Sequence, residues 1–254
     1  MRIGLISDLH ANLPATQAAL TALDHDGVDI ILCAGDLVCY GAQPNEVLEL
    51  LRWRGIPCVL GNYDAAAGWG YAISRRASNP ATEAIKQAAM DWTRAVLQPA
   101  HKRYLRGLPW THTGRYTDQR LTMLHAGPAH LDEAIMPEQT QRQREIARAC
   151  EAEVLILGHT HRAFVQDHGD LLCINPGAVG RALDGDVRAA YAIYDTTTRV
   201  ADLRRVEYDV DAATHAIVAA GAIVAAGLPA ELATLIQRGA RRLEEPRPAH
   251  ETLA

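Results

Sequence analysis

Seven side chains able to ligate metal ions recur along this chain, each just after a short apolar run. They are Asp8 and His10 in "SDLH", Asp36 in "AGD", Asn62 in "GNYD", His125 in "HAG", and His159 and His161 in "GHTH". Two carboxylates, one amide oxygen and four imidazoles, with no thiolate, form a donor set suited to manganese, iron or zinc. Seven donors are too many for one tetrahedral ion, and a carboxylate shared by two ions holds them about 3.5 to 4 Å apart. A lone aspartate after a strand is usually a turn or helix cap; the ordered set is what points to metal. Gly35, Gly61 and Gly158 each precede a ligand-type residue and permit a sharp strand-to-loop turn.

Donors so far apart in sequence need elements that bring them together. Apolar runs at 2–6, 29–34, 56–60, 121–124, 153–157, 171–174, 189–194 and 200–208 have strand length, each with a turn signal after it. Helical patterns at 14–24 and 44–53 separate the first three, giving βαβ alternation. From about residue 162 the runs follow too closely for long helices, which predicts antiparallel or mixed pairing. The fold class is therefore α/β, two packed mixed β-sheets flanked by α-helices. The carboxyl ends of strands in such a sheet converge on one crevice.

An insertion at 65–109 interrupts this pattern. Asn79-Pro80 offers a cap and first turn, and Ile85, Ala88, Ala89, Trp92, Val96 and Leu97 share a helical face, which predicts a helical lid. The chain reads as a single domain over 1–240, with a polar, proline-broken and flexible tail at 241–254.

Composition limits the function classes. With 254 residues, 48% of them apolar and 22% charged, the chain is of ordinary globular type. A net charge of -5 and only 5% aromatics argue against a polynucleotide partner. The longest uncharged apolar stretch, 216–228, is shorter than the roughly 20 residues of a membrane span; it reads as a buried or subunit-facing helix, which leaves room for a homo-oligomer. An aspartate at position 8 breaks any signal-peptide core, and five cysteines without CxxC spacing read as core residues of a reducing compartment, so the expected location is cytoplasmic.

In order, Asp-x-His, Gly-Asp, Gly-Asn, His-Ala-Gly and Gly-His-x-His resemble the calcineurin-like metallophosphoesterase superfamily. The stretch "NPGAVGRALDGDVRAAYAIYD" at 175–195 resembles its small bacterial phosphodiesterase-like branch. The resemblance implies a four-layer αββα sandwich in which Asp8, His10 and His161 bind one ion, Asn62, His125 and His159 bind a second, and Asp36 bridges them. It implies a dinuclear metal-dependent phosphoesterase acting on phosphodiesters or nucleotide phosphoanhydrides, with monoesters also in range. A hydroxide held between the ions attacks phosphorus in line with the leaving group. Its partner is a small, nucleotide-like phosphorylated substrate, and the catalytic positions are Asp36, Asn62 and Tyr63.

Tyr63 departs from the family pattern, which reads Gly-Asn-His where this chain has "GNY". A phenol of pKa about 10 is a poorer proton donor near neutrality than an imidazole of about 6.5. Substrates whose leaving group is already stable as an anion suffer least from the exchange. Asp64, His130 and His168 are alternative acids, and a second class of function stays open: a metal- or nucleotide-binding regulatory or scaffold protein with little turnover. Asn12 reads as a helix cap in preference to a residue that orients the site, Asn175 and Gly177 as a turn beside the metals, and His101, Lys102, Arg103 and Arg106 as a solvated helix face in preference to a phosphate grip. Arg181 either reaches a substrate phosphate or faces solvent.

Overall fold

The computed structural model describes residues 1–72 and 80–220. In chain order its elements are β1 (Arg2–Ile6), α1 (Leu13–His25), β2 (Ile30–Cys33), α2 (Pro44–Trp53), α3 (Asn62–Trp69), α4 (Pro80–Val96), α5 (Pro99–Arg106), β3 (Thr111–Tyr116), β4 (Gln119–Leu124), α6 (Thr140–Cys150), β5 (Val154–Ile156), β6 (Phe164–Asp167), β7 (Leu172–Asn175), β8 (Ala189–Asp195), β9 (Val200–Val206) and α7 (Val210–Ala220). One sheet has the order β2-β1-β8-β9 and the other β3-β4-β5-β7-β6. Parallel pairs (β1 with β2, β4 with β5, β5 with β7) sit beside antiparallel ones, so both sheets are mixed.

Alternation along the strands builds the layers. Ile3 and Leu5 of β1 point between the sheets, where they join Leu121, Met123, Val154 and Ile156. Ile6 turns the other way, toward Ala15, Ala19 and Leu23 of α1. In β5, Leu155 faces Ile146 and Ala147 of α6 while its neighbours face inward. Side chains at period two on strands covered on both faces produce the unbroken apolar runs seen in the sequence. Three stacked cores give four layers, helices, sheet, sheet and helix, as the αββα expectation requires. Leu5, Leu32 and Ile156 are each fully buried, which is worth roughly 1.5–3 kcal/mol per side chain.

Several elements differ from expectation. The run 56–60 forms only one parallel bridge, Cys58 to Cys33, because the chain turns at Gly61 to start α3. Strands β3 and β6, at the two edges of their sheet, and helix α6 have no apolar run to betray them. His101 does not belong to a solvated face: it is buried on α5 with Nδ1 2.8 Å from Asn45 Oδ1, although Arg103 and Arg106 are exposed. In α7, Ala213 and Ile217 are buried; most of 216–228, the tail at 241–254 and Asn79 lie outside the described residues. Cys33, Cys39, Cys58 and Cys173 are free and buried. Among the described residues, no helix is long and apolar enough to cross a membrane.

Candidate metal centre

Every ligand-bearing loop leaves the carboxyl end of a strand: β1 runs into Asp8 and His10, β2 into Asp36, β4 into His125, and β5 into His159 and His161. Asn62 opens α3. Five of these residues hold a left-handed backbone, with φ of 55° at Asp8, 47° at His10, 54° at Asp36, 66° at His159 and 56° at His161. Such backbone costs of order 1–3 kcal/mol per residue and persists only where its surroundings over-determine it. Here the loops are tied to one another, Asp8 N donating to Gly35 O at 2.9 Å, His10 N to Asp36 O at 3.0 Å and Gly158 N to His125 O at 2.9 Å. Glycine is required where they cross, since a Cβ on Gly61 would lie 2.1 Å from Asp36 Oδ1 and one on Gly158 2.2 Å from Ser7 Oγ.

The donors fall into two adjoining groups, Asp8, His10 and His161, and Asp36, His125 and His159. In the first, His161 Nε2 is 3.2 Å from Asp8 Oδ1 and 3.1 Å from His10 Nε2. In the second, His125 Nε2 is 3.3 Å from Asp36 Oδ2, and Asn62 Oδ1 is 3.0 Å from both His125 Nε2 and His159 Nδ1. Asp36 Oδ2 also lies 3.9 Å from His10 Nε2, between the groups. All seven candidate donors are thus brought together.

The outer contacts aim the rings. His125 Nδ1 faces Ala34 O at 2.7 Å, His161 Nδ1 faces Arg181 O at 2.6 Å, and His10 Nδ1 faces Val38 O at 3.4 Å. A carbonyl only accepts, so Nδ1 carries a proton and Nε2 is the nitrogen turned into the centre. Asp8 Oδ2 accepts from Ser7 Oγ at 2.6 Å and His159 N at 3.1 Å, whereas Asp8 Oδ1 is buried without a partner. An orphaned carboxylate oxygen facing imidazole lone pairs is unfavourable until a cation joins them. The residues present therefore fit bound cations.

The protonation states of His10 and His159 favour ligation as well. Burial, reinforced by His161, pushes His10 down to about 3; burial, reinforced by charge on His125, pushes His159 down to about 4. Burial opposes the charged forms of Asp8 and Asp36, but His161 beside the one and His125 beside the other hold both below their ordinary value. Burial also opposes the charge on His125, but the Asp36 carboxylate outweighs it and holds the imidazole at about 9. His125 is thus the ring that must shed a proton to ligate.

Tyr63 lies beside this centre. Its backbone N donates to Asp36 Oδ1 at 2.9 Å, its ring stands edge-on to His10 with centroids 5.5 Å apart, and its hydroxyl is 2.5 Å from that of Tyr40. Burial, and then Tyr40, hold the phenol well above its ordinary value. At neutral pH it offers a hydrogen bond and keeps its proton.

The other acid candidates do not join the ligands. His130 is exposed, and His168 bonds Gln143 Oε1 at 2.8 Å under α6. Asp64 is fully buried as a structural acceptor, taking Leu37 N at 2.9 Å, Val38 N at 3.2 Å and Gly61 N at 3.0 Å; burial, then Asp36, lift it to about 7. Asp64→Asn turns an amide donor toward one of these N–H groups and is expected to destabilise the fold by about 1–3 kcal/mol. Denaturant unfolding of the metal-free protein measures this, and an unchanged midpoint would refute the stitching role.

Asn12 caps α1 as expected, accepting from Ala15 N at 3.2 Å, and also donates to Gly180 O at 3.0 Å. Asn175 Nδ2 supports the "GHTH" turn through Gly158 O at 2.8 Å, while its Oδ1 accepts from Gly177 N at 2.9 Å. Ser7 and Tyr40, which also border the centre, are not marked by any motif in the sequence. Ser7 was signalled only by adjacency to Asp8, and Tyr40 by nothing in its surroundings.

Two mixed sheets that gather buried carboxylate, amide and imidazole donors at their strand ends define a metal-binding α/β sandwich. This chain belongs to the calcineurin-like phosphoesterase superfamily, whose domain matches residues 1–199. It is 31% identical over 233 residues to an uncharacterised protein of Methanocaldococcus jannaschii, covering 85% of this chain and 91% of that one. The crystal structure of a metallophosphoesterase from Sphaerobacter thermophilus superposes with a TM-score of 0.73 at 32% identity, covering 94% of this chain and 99% of the other. A protein of Pyrococcus horikoshii gives 0.79 at 20% identity over the same shares, a likeness of fold.

Proposed function

We propose that this protein is a dinuclear metal-dependent phosphoesterase that hydrolyses phosphodiesters or nucleotide phosphoanhydrides. The observation that carries the reading is Asp36 Oδ2, placed 3.3 Å from His125 Nε2 in one donor group and 3.9 Å from His10 Nε2 in the other. Asp8, His10 and His161 hold one ion, Asn62, His125 and His159 the other, and Asp36 both. When bound, ions of the manganese, iron or zinc type activate water as a nucleophile and neutralise charge on the phosphoryl oxygens. Tyr63 N fixes the bridging carboxylate from behind. The Tyr63 hydroxyl offers a hydrogen bond, which favours substrates whose leaving group departs as a stable anion, such as small nucleotide-type phosphates.

The helices of 65–109 act as the lid. Arg94 Nη2 on α4 donates to Ala66 O at 3.0 Å and Arg106 Nε on α5 to Gly68 O at 2.6 Å, so both grip α3, whose first residue is Asn62. A regulatory or scaffold role with little turnover is not favoured, because the exchange at Tyr63 removes none of the donors. The free, buried cysteines accord with a cytoplasmic enzyme.

The test is to load the protein separately with manganese, zinc and iron, count bound metal, and assay a chromogenic diester, a chromogenic monoester and a dinucleoside polyphosphate. Two ions per chain with turnover of the diester or polyphosphate is the expected result. Two ions with no turnover of any substrate would return the chain to the scaffold class.

A further inference from the structure

Arg181 and Tyr40 border the Asp8, His10 and His161 group without belonging to it. The Arg181 guanidinium carbon lies 4.3 Å from the centroid of the Tyr40 ring. That ring is 5.2 Å from His10 by centroids, and its hydroxyl meets that of Tyr63. The carbonyl of the same Arg181 accepts a hydrogen bond from His161 Nδ1 at 2.6 Å. One residue thus orients a candidate ligand with its backbone and projects a guanidinium beside the centre with its side chain.

The loop before it leaves little freedom of placement. Val179 N donates to Ser7 O at 3.0 Å and Gly180 N to Asp8 O at 2.9 Å, pairing 179–180 with the first ligand loop. A Cβ on Gly180 would lie 1.7 Å from Leu9 O, so only glycine allows this approach. Residue 181 is therefore delivered at the rim of the metal loops.

Arg181 has no carboxylate and no side-chain hydrogen-bond partner among the described residues, and its Nε is shielded from solvent. By contrast, Arg54, Arg142, Arg144, Arg188, Arg204 and Arg205 each pair with an aspartate or glutamate. In a chain with 30 acidic against 25 basic residues, a guanidinium without a carboxylate partner beside metal ligands is complementary to an anion from outside. The guanidinium carbon lies over the Tyr40 ring, and beyond the buried Nε its terminal N–H groups make no hydrogen bond among the described residues, which leaves them for phosphate oxygens. Two divalent ions against Asp8, Asp36 and a hydroxide would leave one positive charge, and Arg181 adds a second, more than a singly charged diester neutralises.

We propose that Arg181, held over the Tyr40 ring, binds the non-reacting phosphate of substrates carrying two or more linked phosphates, and so selects nucleoside polyphosphates over simple diesters. The proposal rests on the phosphoesterase reading of the same centre. Its test compares manganese-loaded wild type, Arg181→Met and Arg181→Lys in calorimetric binding of α,β-methylene-ADP and AMP. Steady-state kinetics on a dinucleoside polyphosphate and a chromogenic diester accompany it.

In Arg181→Met, affinity for α,β-methylene-ADP is expected to fall about tenfold or more, about 1.4 kcal/mol, and clearly further than affinity for AMP. KM for the polyphosphate rises more than kcat falls, the polyphosphate-to-diester ratio of kcat/KM drops, Arg181→Lys recovers part of the loss, and manganese content stays at the wild-type level. Equal losses on both nucleotides, unchanged binding of α,β-methylene-ADP, or loss of manganese from both variants would each overturn the proposal, the last by reducing Arg181 to a support for His161. If wild type cleaves nothing yet α,β-methylene-ADP binding still depends on Arg181, the enzymatic reading fails and the subsite stands. If wild type cleaves both substrates with selectivity indifferent to Arg181, the reverse holds.

Discussion

Asp36→Asn is expected to lower turnover of every substrate by on the order of 10³-fold or more, about 4 kcal/mol of barrier, and to leave fewer than two ions per chain. Both carboxylate oxygens are committed: Oδ2 faces the imidazoles of both donor groups, and Oδ1 accepts from Tyr63 N at 2.9 Å. An amide has one acceptor oxygen. Turned one way it points N–H hydrogens at the cations, and turned the other it opposes the Tyr63 N–H, so neither orientation replaces the carboxylate. Nor can the side chain withdraw, because Gly61 packs directly against it. Stability gives a second readout, since ligand at about 100 times its Kd adds about 2.7 kcal/mol per site. The rise in Tm on adding manganese should shrink in the variant relative to wild type. Metal counting, kcat and paired melts check this together; an Asp36→Asn protein that keeps two ions and wild-type turnover would remove the bridging role.

What could be read from the sequence, and what could not, follows the range of the physics. Asp8, Asp36, His125 and His159 are legible because each stands within two residues of the end of an apolar run, and a buried strand ending in a polar ligand-type residue is a local pattern. β1 and β5 were legible because both their faces are covered. β3, with alternate residues exposed along "THTGRY", and β6, four residues at a sheet edge, bury too little to leave a run. His101 reads as one of a group of cations, and the contacts that go with its burial come from α2, where Asn45 Oδ1 lies 2.8 Å from Nδ1 and Glu49 Oε1 3.7 Å from Nε2. Asp64 has the residue type of an acid catalyst, yet three backbone N–H groups from two loops claim it. The cap role of Asn12 is legible from local signals alone, while its second bond, to Gly180, depends on the fold. Arg181 shows the limit most clearly: its two alternatives differ only in where a loop delivers it, and that is set by contacts with 7–12 far away in sequence.

The second large effect is a gain. Tyr63→His is expected to raise kcat/KM on esters with a poor alkyl leaving group by on the order of 10²-fold, with a much smaller change on phosphoanhydrides. The backbone of residue 63 is already fixed by its bond to Asp36, and its side chain already stands against His10. The exchange therefore changes which proton is offered more than where it is offered. The phenol, held well above its ordinary value by burial and then by Tyr40, keeps its proton throughout the neutral range. It can stabilise a departing oxygen by a hydrogen bond but gives little when a full proton is needed. An imidazole of ordinary pKa about 6.5 releases its proton readily. Its protonated form is the active acid, so the variant's rate on alkyl esters should decline as pH rises through the imidazole pKa, a limb absent from wild type. Tyr63→Phe separates this from a packing effect: it keeps the ring against His10, removes the donor, and should slow all substrates modestly without a new limb. Equal acceleration of esters and anhydrides by Tyr63→His, or acceleration without the pH limb, would mean that residue 63 does not face the leaving oxygen, and the argument linking Tyr63 to phosphoanhydride preference would fall.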